Sequence, residues 1–378
     1  MAASPSVLGK VLDVFERNFR DREELGASVS IWWNGSELIS EGHGWCEREM
    51  ARPWTVRTLV PVYSATKVPS AATLLVALEN QGLSASTPVR EVWPKFPVAD
   101  ASFRHLLSHQ CGLAGLDEVP SMFEHKAVVA AIESQAPAWV LGQGHGYHPR
   151  TFGALVDEPV RRLTGMRLGD YWREKIAGPL ELDFWIGLPQ CEWPRVARLY
   201  PGKAGKPERE DSFYQKMTTE GTFTRKAFSS PAGLRSIQGM NDPVAWSAGL
   251  PALGGVGTAS ALAKFYQAAM GSIASPFSAA VRHALSTPVS KAEDVVLHRP
   301  TVFTCGAQLD PRDASGNKLR HIYGPSFSAF GHPGAGGSHG FADPQSGISF
   351  AYVMNQMNLG VMPGEKCLEM VDALFSEL

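Results

Sequence analysis

Leu59-Val60-Pro61-Val62-Tyr63-Ser64-Ala65-Thr66-Lys67 is the stretch from which the chain reads outward. An extended apolar run ends at Tyr63. Ser64-Ala65-Thr66-Lys67 then spells S-x-x-K, and residues 66–78 continue at helical spacing, rich in Ala and Leu. A serine that opens a helix has physical reasons to react. Positions i and i+3 share a helix face, so the Lys67 amine reaches the Ser64 hydroxyl. The helix start leaves N–H groups unpaired and carries partial positive charge, which favours a developing oxyanion. Burial disfavours an ammonium, which turns Lys67 into a base. The plain alternative is a helix-capping Ser64 followed by a surface Lys67. Pro69 lies inside the expected helix, removes one backbone hydrogen bond, and is expected to bend the first turns.

Apolar residues at helical spacing mark residues 7–19, and residues 26–39 read as a hairpin around the tight turn Asn34-Gly35. Further helices are expected at 103–107, 151–163, 168–176 and 260–270, with a closing helix at 363–375. Residues 302–304 and 348–354 read as strands. The segment of about 190–245 is rich in Pro, Gly and charge, lacks clear periodicity, and reads as an irregular loop or lid. The order predicts an α+β fold: an antiparallel sheet flanked by helices plus an all-helical lobe. Both chain ends, about 1–75 and 295–378, would supply the α/β lobe and residues 76–294 the helical one, within a single catalytic domain over 1–378. A site between two lobes is a common place for a pocket.

Of the 378 residues, 44% are hydrophobic and 19% charged, so a packed globular chain is expected. The formal charge is -2, from 35 basic and 37 acidic residues, and no basic surplus exists to draw phosphates. Nucleic acid is thereby an unexpected partner. The five cysteines are widely spaced with no C-x-x-C pair, which predicts buried free thiols rather than a disulfide framework or zinc knuckle. Met1-Ala2-Ala3-Ser4-Pro5-Ser6 leads into charged residues with no apolar segment before a cleavage site, and no uncharged run is long enough to span a bilayer. A cytoplasmic protein without membrane contact is the expectation. His105 and His109 stand at i, i+4 but lack a carboxylate motif, so no metal or cofactor is expected, and these rings read as hydrogen-bonding groups.

After Ser64 and Lys67 come Arg104-His105-Leu106-Leu107-Ser108-His109-Gln110-Cys111-Gly112-Leu113, then Tyr147-His148-Pro149 and Gly178-Pro179-Leu180. Gly254-Gly255-Val256-Gly257-Thr258 and Gly331-His332-Pro333-Gly334-Ala335-Gly336-Gly337 follow. This ordered set, from about residue 20 to the end, resembles the serine β-lactamase and penicillin-binding-protein-like superfamily, near class C β-lactamases and family VIII carboxylesterases. The resemblance implies that Ser64 is the acylated nucleophile, Lys67 its base, and Tyr147 the tyrosine of a Y-x-N element that shares proton transfer. It implies that His332-Pro333-Gly334 stands for the Lys-Thr-Gly strand lining the pocket, and that the backbone N–H groups of Ser64 and Ala335 form an oxyanion hole. His148, next to Tyr147, reads as either structural or substrate-facing in the pocket. Ionising Tyr147 near neutral pH would need help, and two cationic neighbours are expected to supply it. Two departures stand out: Pro149 replaces the Asn of Y-x-N, and His332-Pro333 replaces Lys-Thr. Both missing side chains normally hold a β-lactam.

Gly336-Gly337-Ser338-His339-Gly340 also matches G-x-S-x-G, the elbow of a different hydrolase fold. That fold expects an acid and then a histidine downstream, and only the adjacent His339 follows Ser338, so this stretch reads as a Gly-rich turn beside the pocket. The leading expectation is a serine hydrolase forming an acyl-enzyme at Ser64, a carboxylesterase on small esters. A β-lactamase, D-amino-acid peptidase or acyltransferase of the same fold is the alternative. A catalytically inactive binding protein is the rival from another class, and the joint presence of Ser64, Lys67 and Tyr147 weighs against it. The substrate is a small-molecule ester or lactam, and no oligomeric state follows from the sequence.

Overall fold

The computed structural model describes residues 5–202, 212–234 and 236–376. The first four residues and part of the 190–245 segment (203–211 and 235) lie outside the described residues. The strands are β1 Gly26–Trp33, β2 Ser36–Gly44, β3 Val60–Pro61, β4 Phe184–Ile186, β5 Gly255–Gly257, β6 Ser290–Glu293, β7 Pro300–Phe303, β8 Gln308–Leu309, β9 Phe330–Pro333, β10 His339–Asp343 and β11 Ile348–Met354. Eight form one antiparallel sheet in the order β2-β1-β11-β10-β9-β8-β7-β6, and β3-β5-β4 form a small second sheet. The expected α+β architecture stands.

The sheet is covered on both faces, and adjacent residues of β10 show it. Strand side chains alternate between faces. Gly340 faces Leu262 and Tyr266 of the helix Ala259–Met270, so closely that a Cβ would collide with them. Its neighbour Phe341 stacks on Phe375 of the helix Glu365–Phe375 on the other face. That closing helix pairs with the N-terminal helix Pro5–Asp21. β1 and β11 are buried almost throughout, whereas β2, at the edge, keeps alternate positions exposed. The 26–39 hairpin reading is extended: its second strand runs on to Gly44.

Two corrections concern boundaries. The helix Ala259–Met270, assigned from sequence to the helical middle, packs on β1, β10 and β11. β6 begins before the expected boundary at 295 and already belongs to the sheet. Neither was visible locally, because an amphipathic helix does not declare which layer it covers. A third correction concerns the 190–245 segment. It holds a 3-10 turn at Gln190–Arg195 and short helices at Ser212–Thr218, Phe223–Ser229, Ile237–Met240 and Pro243–Ser247. Pieces this short fall below the window in which helical periodicity is countable.

Candidate active site

β3 ends two residues before Tyr63, whose backbone takes φ 50 and ψ -131. This is a region that bulky residues rarely occupy, and such strain persists only where surroundings impose it. Ser64–Thr66 then make one 3-10 turn, and the α-helix proper runs Lys67–Asn80. Thr66 Oγ1 locks the turn, donating to the Tyr63 carbonyl at 2.5 Å and accepting from Gly255 N at 2.8 Å. A Cβ at position 255 would meet Thr66 Oγ1 and the Phe184 ring, so the Gly-rich strand β5 lets the turn close in. Pro69 falls in the first α-helical turn, where a missing N–H is tolerated.

Ser64 Oγ sits between two side chains. The Tyr147 hydroxyl lies 2.9 Å away, and Lys67 Nζ 3.3 Å away. Lys67 is 0% exposed, and its amine also donates to the carbonyls of Pro149 at 3.0 Å and Ala252 at 2.8 Å. Burial holds its pKa well below the ordinary lysine value, and no acidic side chain bridges it among the described residues. A neutral amine has two N–H bonds and one lone pair. The two carbonyls take the N–H bonds, which leaves the lone pair for the Ser64 hydroxyl proton. Burial raises the Tyr147 phenol, and the nearby Asp294 carboxylate raises it further. The expectation of two cations helping Tyr147 ionise is corrected: it stays a phenol and donates to Ser64 Oγ.

Ser64 and Ala335 both line a cavity of about 180 Å³. Among the described residues, neither backbone N–H donates to a protein acceptor. The cavity is walled mainly by apolar groups: Tyr63, Pro149, Phe228, Leu234, Met240, Leu253, Leu297, Val361 and Met362. A larger groove of about 600 Å³ shares only Arg150 and Leu253 with it and contains none of Ser64, Lys67 and Tyr147.

His332 and Pro333 line the cavity on β9. The His332 ring donates from Nδ1 to the Pro333 carbonyl at 2.7 Å, and its Nε2 meets the Gln308 amide nitrogen at 3.2 Å. Burial lowers its pKa to about 3, so it is neutral. Gly334 lies behind this wall, where the Val62 carbonyl leaves no room for a Cβ. His148 is a correction. It does not line the cavity: its Nε2 accepts from Leu113 N at 3.1 Å and its Nδ1 donates to the Gly146 carbonyl at 2.6 Å. Neighbours in an extended loop point opposite ways, so Tyr147 facing Ser64 sends His148 inward. His109 Nδ1 in turn accepts from His148 N at 3.2 Å.

Ser338 is buried beside the pocket turn, and its backbone carbonyl accepts from Gly334 N at 2.6 Å. His339 turns away to the Ile322 carbonyl at 2.7 Å, so the two form no dyad. The sequence reading missed Gln308, Arg150 and Asp294. Gln308 and Arg150 line the cavity, and Arg150 donates to the Phe228 carbonyl at 2.9 Å. None of the three carries a local motif. The described residues contain no cluster of metal-ligating side chains and no helix long and apolar enough to cross a membrane.

An antiparallel sheet between helices, with a serine at the start of a buried helix, is the architecture of the β-lactamase and transpeptidase class. The chain belongs to the beta-lactamase family, whose profile matches residues 15–366. It is similar to the esterase/beta-lactamase LipL of Mycobacterium tuberculosis, 28% identical over 92% of this chain and 81% of that protein. A solved family VIII carboxylesterase is 30% identical with TM-score 0.85, covering 100% of this chain and 98% of its own. A penicillin-binding-protein homologue from Caulobacter crescentus is 32% identical with TM-score 0.84, covering 100% and 99%. The protein is a hydrolase of this esterase/β-lactamase type.

Proposed function

We propose that the protein is a serine carboxylesterase acting on small esters through an acyl-enzyme at Ser64. One observation carries the reading: the Ser64 hydroxyl, between a buried amine and a buried phenol, opens into a small apolar cavity. Lys67 takes the Ser64 proton as the oxygen attacks the ester carbonyl. The Ser64 and Ala335 amides hold the oxyanion, each such donor being worth about 2.7–4 kcal/mol. Tyr147 passes a proton to the departing alcohol, and the reverse relay activates the water that releases the acid.

The preference for esters rests on what positions 149, 332 and 333 lack. A lactam carboxylate asks for a fixed cation, and His332 is neutral with both ring nitrogens engaged. Pro333 and Pro149 offer no hydroxyl or amide side chain. Losing one charge-assisted and one neutral hydrogen bond costs about 2–4.5 kcal/mol, or roughly thirty- to two-thousand-fold in turnover. Lactam hydrolysis is the second reading, favoured by Arg150 among the lining residues and by the double name of LipL. The ratio of kcat/KM for p-nitrophenyl butyrate to that for nitrocefin separates the two. A large excess for the ester is expected; parity or an excess for nitrocefin would make β-lactamase the better reading.

A further inference from the structure

We propose that Asp294 is a positioning residue for catalysis, clasping the Tyr147 backbone so that the phenol stays against Ser64 and tying it to the loop that carries the cavity wall. This rests on the reading of Tyr147 as the proton carrier.

Asp294 follows β6 directly and is fully buried. Both carboxylate oxygens accept from Tyr147 N, at 3.1 and 3.0 Å. Oδ1 also accepts from Val296 N and Leu297 N, each at 2.8 Å, and Leu297 lines the cavity. Oδ2 accepts from the Thr301 hydroxyl at 3.2 Å. One side chain therefore joins the loop bearing Tyr147, the loop bearing Leu297 and strand β7. A misplacement of about 1 Å in a catalytic group can cost about a hundredfold in rate, so such a clasp has kinetic weight.

A mere loop clasp could be neutral, and here it is a carboxylate that no Lys or Arg pairs with among the described residues. His145 Nε2 lies 4.0 Å from it, and burial lowers the pKa of that ring to about 4. Burial pushes Asp294 itself up to about 6, with the backbone N–H groups opposing. Above that pH it is an anion at some cost to folding, and its field adds to burial, the larger cause, in raising the Tyr147 phenol. The other groups facing Tyr147 are Lys67, His109 and His332, and burial favours the neutral form of each.

The test is Asp294→Asn, which keeps the shape and one acceptor, measured alone and with Tyr147→Phe. The Tyr147 phenol, read as the phenolate absorbance of each protein minus its Tyr147→Phe counterpart, is expected to titrate at lower pH in Asp294→Asn. Turnover of p-nitrophenyl butyrate is expected to fall about tenfold or more in kcat, with KM within about twofold. In the Tyr147→Phe background the same substitution should cost nothing further. An unshifted phenol with unchanged kcat, or an equal loss in both backgrounds, would overturn the proposal. Should Asp294→Asn not fold, Thr301→Val removes one donor to the same carboxylate and is expected to lower kcat in the same Tyr147-dependent way; a loss independent of Tyr147 overturns the proposal. A wild-type protein without ester turnover would overturn the proposed function alone, and the phenol titration would still decide Asp294.

Discussion

Burial holds the Lys67 pKa well below the ordinary lysine value, which suits it to the proposed role of base. Its side chain is buried, and an ammonium there would meet two carbonyl dipoles, the Ser64 hydroxyl and the faces of the Tyr147 and Phe152 rings, with no carboxylate beside it among the described residues. Lys67→Met and Tyr147→Phe are each expected to lower kcat by about two orders of magnitude or more, the usual range for a lost general acid or base. Residues acting on one proton are non-additive, so the double variant should be little worse than either single. Fully multiplicative losses in steady-state kinetics would show that the two act separately. Ser64 and Lys67 were legible because S-x-x-K is local, and Tyr147 because it falls in order with other motifs. Gln308 and Asp294 were not, since each reaches the site across a long sequence separation, and Arg150, directly after Pro149, was passed over because it matches no motif position. Of the two readings of His148, the pocket one fails and the structural one fits: it follows Tyr147 in an extended loop and turns inward to Leu113 and Gly146.

The catalytic helix was legible from its Ala- and Leu-rich spacing, but its 3-10 entry was not, because the lock is a Thr66–Gly255 contact made by folding. The short helices of the 190–245 segment left capping signs that periodicity overlooks. Thr222 caps Phe223–Ser229, Ser236 caps Ile237–Met240, and Asp242 caps Pro243–Ser247 with proline at its first position. These elements place Phe228, Leu234 and Met240 in the cavity wall. Phe228→Ala is therefore expected to shift preference among p-nitrophenyl esters toward longer acyl chains. One methylene in an apolar pocket is worth about 1–3 kcal/mol, so a change of about tenfold in the relative kcat/KM of adjacent chain lengths is the expected scale. An unchanged chain-length profile would place the acyl group elsewhere.

The molecule as a whole carries an unusual set of buried imidazoles. Burial lowers His148 and His332 to about 3 and His145 and His339 to about 4, from an ordinary value of 6.5. Unfolding releases them to take up protons, so the unfolded state binds more protons below about 6.5. Their contribution to stability is complete above that pH and is lost as pH falls toward about 4. Asp294, raised to about 6, opposes this in part, because its protonation relieves a buried charge. The histidines outnumber it, so the melting temperature is expected to be lower at about pH 5 than at about pH 7.5 by differential scanning fluorimetry. A flat or reversed profile would mean that these rings are solvated or protonated in the fold.

The assignment of Ser64 is tested most directly by trapping the wild-type protein with a fluorophosphonate and mapping the adduct by peptide mass spectrometry. One adduct per chain is expected, on the peptide containing Ser64, with labelling absent in Ser64→Ala and retained in Ser338→Ala. An adduct on Ser338, or no covalent labelling at all, would contradict it.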